Sequence, residues 1–210
     1  MAALGQTPAL GAASIGGAFI MSQTTQAVSA SKSKFSVRDI CYAGLFAAVI
    51  AVMAQISIPM PLGVPMTMQT FAITLAAVVL GSKLSAIATL VYLALGAVGV
   101  PVLANFSGGF DKFVGPTGGF LISFPLMAYI IGLGVEHRNA FKGAFVTAVV
   151  VGTLVNYVVG VALFVVVAHS TIAVGISACV LPFIPTAIIK AVLACAIGLN
   201  LRKRIPGLKA

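Results

Sequence analysis

Long apolar stretches separated by short polar or glycine-rich segments run from residue 37 almost to the end of the chain. A helix needs roughly 20 apolar residues to cross a bilayer core of about 30 Å, and fewer where neighbouring helices help. The pattern therefore predicts an all-α integral membrane protein with six transmembrane helices. The predicted spans are 40–58, 67–80, 84–98, 117–135, 144–168 and 181–201. Only the segment GSK joins the second and third spans, which predicts a tight helical hairpin.

The two ends of the chain differ from this apolar part. Residues 1–36 are rich in Ala, Gly, Ser and Thr, with no charge before Lys32, and predict a flexible tail or leader. The stretch lacks the positive start and Leu-rich middle of a cleavable signal peptide. A natural start at Met21 stays open. We expect the six-helix membrane domain at 37–202 and a basic tail at 203–210.

The composition supports a membrane protein. Hydrophobic residues make up 60% of the chain and charged residues 7%, against about 25% charged in soluble domains. The net charge of +9 would suit a nucleic-acid partner, but basic helices with interleaved aromatics are missing, so we expect none. The cysteines Cys41, Cys179 and Cys195 are widely spaced among apolar residues, and this spacing predicts neither a disulfide framework nor a metal site.

The positive charges predict the orientation of the spans. All but two of the twelve Lys and Arg fall in the N-terminal flank, in GSK, in EHRNAFK or in the C-terminal tail. Positive residues are retained on the cytoplasmic side, so both termini are predicted to be cytoplasmic in a multi-pass protein of the cell membrane. The charges on that side are Lys32, Lys34, Arg38, Lys83, Arg138, Lys142, Arg202, Lys203, Arg204 and Lys209.

Lys190 is an ionisable residue inside the last predicted span. It follows Pro182 by eight residues, which places it about 12 Å down a helix entered from outside. An amine there costs about 2.5 to 3.5 kcal/mol on insertion scales, and such residues normally face a partner, a cavity or a substrate. Snorkelling to the interface is the alternative. Since Asp39, Asp111 and Glu136 are predicted in flanks or loops, an anionic ligand would supply the counter-charge.

Four other polar residues are candidates for substrate binding. Asn105 offers a donor and an acceptor to an amide or urea group, or it caps a loop. Asn156 lies midway along the fifth span, where an interhelical hydrogen bond is the alternative to ligand contact. Gln69 stands at the outer end of the second span. Thr117 is predicted to cap the fourth span, with direct ligand contact as the alternative.

The glycine-rich segment GGFDKFVGPTGGF, residues 108–120, resembles a phosphate loop only in its glycines. The pattern GxxxxGK[ST] is absent from the sequence, so we expect no ATP hydrolysis by this chain. The segment follows the third span on the outer side and is interpreted as a lid over a pocket. Asp111 and Lys112 at its tip are interpreted as solvated charges.

The first span carries small residues at every fourth position, Ala43, Ala47 and Ala51. Such a ridge lets another helix approach closely. It is therefore a candidate interface for a partner protein, and packing within the chain itself is the alternative.

Several motifs together resemble the BioY family over roughly residues 35–201. They are PMTMQTFAITLAAVVLG, VYLALGAVGVPVLANFSGG, GPTGGFLISFPLMAYIIG and PFIPTAIIKA, in this order. The resemblance implies a six-helix S component, the subunit that captures biotin for an energy-coupling-factor (ECF) transporter at the extracytoplasmic face. It also implies a transmembrane scaffold subunit that contacts the alanine ridge, and two subunits that bind ATP. No cofactor of the chain's own is implied.

The binding residues of the family carry over in part. The family's Asn after the PV segment matches Asn105, and its Lys in the last helix matches Lys190. The family usually has an Asp three residues before this Lys, where the present chain has Ala187. An S component for a different small anionic vitamin is therefore an alternative. A secondary transporter that works alone, as a homo-oligomer, is another, whereas an enzyme is not expected because paired acids and His clusters are missing.

Overall fold

The computed structural model describes residues 36–60, 64–138 and 143–205. Residues 1–35 of the tail predicted at 1–36, with Lys32 and Lys34, lie outside the described residues. The loop residue Lys142 and the chain end at 206–210 with Lys209 also lie outside them. The compact unit described here begins at Val37.

The described part is mostly helical. Four apolar helical stretches, Val37–Ala54, Gly118–Glu136, Ala144–Val167 and Ile172–Arg204, have the length and composition to cross a membrane, and two shorter apolar helices accompany them. The helices are α1 (Val37–Gln55), α2 (Gln69–Leu80), α3 (Ser82–Ala97), α4 (Asp111–Val114), α5 (Gly118–Glu136), α6 (Ala144–Val167), α7 (Ile172–Cys179) and α8 (Ile184–Arg204).

A short β-hairpin shortens two of the predicted spans. Strand β1 (Ser57–Ile58) pairs antiparallel with β2 (Met66–Thr67), with Ser57 opposite Thr67. The predicted spans 40–58 and 67–80 are therefore wrong at the end of the first and the start of the second. Ser57, Ile58 and Thr67 belong to the β-hairpin and do not extend the helices. The hairpin leads directly into Gln69, the first residue of α2.

The residues between the predicted spans 144–168 and 181–201 are not a simple loop, because they contain α7. The Thr171 side chain caps this helix by accepting a hydrogen bond from the Val174 amide at 3.4 Å. A 3₁₀ turn at Leu181–Phe183 follows, so α8 begins at Ile184, and it continues to Arg204. The predicted basic tail at 203–210 therefore starts inside this helix.

Helix α2 lies at the centre and packs against α1, α3, α5 and α8. Its residues are buried on every face, except that Thr70 is half-buried. A helix that is apolar all round belongs in such a position. Helices α5 and α6 also pack closely. A Cβ at Gly119 would lie 2.6 Å from the Val159 carbonyl oxygen, so only glycine permits this approach.

Charged residues tie the helices together at one end of the bundle. Gly81, with φ of +83°, alone separates α2 from α3, and the first amide of α3, from Ser82, donates to the Glu136 carboxylate at 2.7 Å. Arg202 is buried and donates to the last carbonyls of α2, at Val78 and Val79, at 3.1 Å each. The ends of α2, α5 and α8 and the start of α3 therefore meet here, away from the β-hairpin.

The alanine ridge of α1 requires a correction. Ala43 and Ala47 are only 5% and 3% exposed, and Ala51 is half-buried against the same core. These alanines pack against helices of their own chain. A spacing of four residues places them on one face of α1, but it does not determine whether that face packs inside the chain or against a partner. Ala43 and Ala47 are therefore covered within this chain, whereas Ala51 is partly exposed. The exposed positions of α1 include Cys41, Gly44, Ala48 and Val52.

Candidate functional site

A cavity of about 390 Å³ lies at the end of the bundle that carries the β-hairpin. Cavities of this size hold small ligands. Aromatic side chains form part of its wall, namely Phe120, Phe124, Tyr157 and Phe183. The five residues selected from the sequence all line it, namely Gln69, Asn105, Thr117, Asn156 and Lys190. The fold therefore brings together polar side chains that are up to 121 positions apart in the sequence, from Gln69 to Lys190.

Lys190 reaches the cavity from α8. It lies six residues after Ile184, which is about 9 Å along the helix. Its ammonium donates to the Thr67 carbonyl oxygen at 2.7 Å, so β2 fixes its direction. A carbonyl satisfies one of the three N–H donors of lysine and leaves its charge uncompensated.

Gln69 and Asn156 are almost fully enclosed by the protein, at 4% and 1% exposure. Gln69 Oε1 accepts from the Thr67 hydroxyl at 2.9 Å, and its Nε2 donates to the Tyr92 hydroxyl. Gln69 thus connects Tyr92 in the core to the strand that holds Lys190.

Asn156 on α6 has a different set of partners. Its Oδ1 accepts from the Ser123 hydroxyl at 2.6 Å, which joins α6 to α5 as the sequence-based alternative proposed. None of the described residues accepts a hydrogen bond from its Nδ2, and the residue lines the cavity. Both N–H groups of this amide are therefore available to a molecule in the cavity.

Asn105 stands in a turn of left-handed backbone, with φ of +58° and ψ of +39°. Asn tolerates this conformation better than most residues. Its Oδ1 accepts a hydrogen bond from the Ser57 hydroxyl, which leaves Nδ2 as the free donor.

The side chain of Gln55, at the end of α1, holds the turn around Asn105. Its Nε2 donates to the carbonyls of Val102 and Leu103 at 3.2 Å each, and its Oε1 accepts from the Phe106 amide at 2.8 Å. This role of Gln55 was not predicted from the sequence. The available signal was an amide at the outer end of an otherwise apolar span.

Thr117 and Lys112 differ from their predictions. Thr117 occupies the N-terminal cap position of α5, but its side chain makes no capping hydrogen bond and lines the cavity. Lys112, interpreted as a solvated charge, lines the cavity as well and forms an ion pair with Asp111 at 2.8 Å. The hydrogen bond from Lys112 lowers the pKa of the Asp111 carboxyl below its usual range.

The electrostatics of the cavity favour an anion. Lys112 and Lys190 line it, and no Asp or Glu is found among its described lining residues. Ala187, one helical turn before Lys190, also lines it and contributes only a methyl group. Within the described ranges, no three His, Cys, Asp or Glu side chains come together as metal ligands would.

Comparisons with known proteins agree in their result. The BioY family matches residues 23–207. The "Biotin transporter BioY" of Thermotoga maritima is 42% identical over 80% of this chain and 97% of its own length. The "Biotin transporter BioY2" of Lactococcus lactis is 36% identical over 75% of this chain and 86% of its own.

A solved structure is also similar. The crystal structure of an S component for biotin from an ECF-type ABC transporter has a TM-score of 0.74 and 28% identity. The match covers 84% of this chain and 96% of that one. The protein is therefore a multi-pass membrane protein of a transporter family and not an enzyme, and it belongs to the BioY family.

Proposed function

We propose that this chain is the S component of an ECF-type biotin transporter, with six transmembrane helices, both termini in the cytoplasm and the cavity open to the outside. The orientation rests on charge. Arg202 and Arg138 lie at the end where α2 and α3 meet, and positive residues are retained in the cytoplasm. The cavity is at the opposite end, where a vitamin would arrive.

The observation that carries this proposal is the composition of the cavity wall. Biotin combines a polar ureido ring, an apolar bicycle and a carboxylate. Donors at Lys190 and Asn156 suit the ureido oxygen, and the rings of Phe120 and Phe124 suit the bicycle. Asn105 offers a further amide donor from the loop region. Gln69 takes part indirectly, because its hydrogen bonds hold Thr67 and, through it, Lys190.

Delivery of the vitamin into the cell requires partners in this proposal. The chain has no phosphate-binding motif with which to use ATP itself. A transmembrane scaffold subunit and two ATP-binding subunits would supply the energy, as the ECF-type transporter of the structural relative suggests. If the chain transports biotin in reconstituted vesicles without these subunits, it acts alone, and the partner part of the proposal fails.

A second candidate is an S component for a different small anionic vitamin. The specific observation is Ala187, which lines the cavity where the family usually has an Asp. A methyl group accepts no hydrogen bond from ureido N–H groups and does not neutralise Lys190. A ligand with a second anionic group and no urea would suit this wall equally well.

Calorimetry of the purified chain in detergent separates the two candidates. We expect saturable binding of biotin at a ratio of one to one without ATP. A panel of other vitamins, each titrated at the same protein concentration, provides the comparison. Binding of another vitamin in the absence of biotin binding would overturn the proposal in favour of the second candidate.

A further inference from the structure

Lys112 is a second cation on the cavity wall, and its present partner is easily exchanged. Its ion pair with Asp111 joins adjacent residues whose side chains are 42% and 67% exposed. Solvent-exposed pairs of this kind contribute little to stability, because water and salt screen them. A competing anion in the cavity therefore meets little resistance from the Asp111 carboxylate.

The two lysines reach the cavity from different elements. Lys190 is about 9 Å along α8 from its first residue and already donates to Thr67. Lys112 belongs to the short helix α4, in the connection between α3 and α5, and is partly open to solvent. A ligand with polar groups at both ends therefore finds a cation on the cavity wall that is separate from Lys190.

Hydrogen bonds hold the backbone around Lys112 in place, whereas the only interaction described for its ammonium is the exposed ion pair with Asp111. The Gly109 amide donates to the Gly96 carbonyl at 2.8 Å, and the Gly115 amide donates to the Asp111 carbonyl at 3.0 Å. The rings of Phe110 and Phe113 are stacked, with centroids 6.1 Å apart. Moving the ammonium from Asp111 to a ligand thus requires a change of side-chain rotamer and no rearrangement of the loop.

We propose that Lys112 recognises the carboxylate of the bound ligand at the mouth of the cavity, exchanging Asp111 for that carboxylate. The residue then determines specificity for an acid over its neutral analogues. This inference rests on the proposed function, in which the ligand is biotin. Lys190 and Asn156 bind the ureido end, and Lys112 binds the carboxylate at the other end.

The test compares biotin with biotinol, the analogue in which an alcohol replaces the carboxylate. Dissociation constants of both are measured by calorimetry for the wild type and for Lys112→Gln, Asp111→Asn and the control Lys83→Gln. Lys83 is exposed at the start of α3, at the opposite end of the bundle, and its replacement changes the net charge by the same amount.

We expect the wild type and Lys83→Gln to bind biotin at least about tenfold more tightly than biotinol, as a charge-assisted contact would give. Lys112→Gln should weaken the binding of biotin but not of biotinol, which reduces the preference to within about twofold. Asp111→Asn should strengthen the binding of biotin, because the Asp111 carboxylate no longer competes for Lys112. Equal binding of both ligands by the wild type, or an unchanged preference in Lys112→Gln, overturns the role of Lys112 while biotin binding itself stands. Absence of binding by either ligand overturns the proposed function and this inference with it.

Discussion

The ammonium of Lys190 on α8 donates a 2.7 Å hydrogen bond to the backbone carbonyl of Thr67 on β2, a residue 123 positions earlier in the chain. The bond joins the last long helix to the hairpin that precedes the central helix. It also directs a positive charge toward the cavity, because a carbonyl orients an ammonium without neutralising it. The ammonium is therefore oriented toward the cavity and keeps N–H donors for a bound ligand.

Replacement of Lys190 by Met should weaken biotin binding by about tenfold or more, which corresponds to about 1.4 kcal/mol. Met retains most of the side-chain length and packing while it removes the charge and all N–H donors. Titration calorimetry measures the change. Lys203→Met, at an exposed position of the same helix, is the control and should bind as the wild type does. If Lys190→Met binds within twofold of the wild type, Lys190 is not a binding residue.

Replacement of Asn105 should weaken binding by about tenfold if its amide is a ligand donor. Because its φ of +58° favours glycine, Asn105→Gly removes the side chain without straining the turn, whereas Ala would change both. Asn105→Asp keeps the shape and the acceptor for Ser57 but exchanges the donor for a negative charge. Wild-type affinity in both variants would show that the amide serves only the turn.

Gln55 positions the loop that carries Asn105, so its replacement should weaken ligand binding indirectly, through that loop. Gln55→Ala removes the bonds to Val102, Leu103 and the Phe106 amide. We expect weaker biotin binding together with faster hydrogen exchange of the segment 102–106. Gln55→Glu retains the acceptor for Phe106 and should fall between Ala and the wild type. Weaker binding with unchanged exchange would mean that Gln55 contacts the ligand instead.

Sequence alone located the long helices and the buried polar residues of the cavity. Lys190 and Asn156 stand out because polar groups are rare and costly in a membrane, so a single position is informative. The short β-hairpin and α7 were missed because both lie in segments interpreted as span ends or loops. Helix α7 carried a signal in Thr171 before an apolar run.

Other features depend on the tertiary fold. The hydrogen bonds of Gln55 reach residues up to 51 positions away, so no local pattern indicates them. The direction of the Lys112 side chain depends on the turn of α4. Without the fold, a lysine in a glycine-rich loop is interpreted as solvated. The spacing of Ala43 and Ala47 defines a face of α1, yet only packing determines that this face is internal.

Ala187→Asp restores the residue that the family usually has at this position and tests its effect on biotin affinity. The new carboxylate would lie three residues before Lys190 on the same helix face, near enough to pair with its ammonium and to accept from ureido N–H groups. We therefore expect biotin to bind several-fold more tightly. Ala187→Asn, of the same size without charge, is the control and should gain less. Weaker binding in Ala187→Asp would indicate a ligand whose anionic group occupies this position in the wild type.

Glu136 should contribute to stability and not to ligand binding. Its carboxylate accepts from the Ser82 amide at 2.7 Å and from the Ser82 hydroxyl at 2.9 Å, and so satisfies the free amide at the start of α3. Hydrogen bonds to a charged group contribute about 1.5 to 3 kcal/mol, so Glu136→Ala should lower the midpoint of thermal unfolding by at least about 3 °C. Glu136→Gln keeps one acceptor oxygen and should lose less. Biotin affinity, measured below the unfolding transition, should stay at the wild-type value in both variants, because Glu136 lies at the end of the bundle opposite the cavity. An unchanged midpoint would contradict the capping role, and a loss of affinity in the folded variant would mean that the two ends of the bundle are coupled.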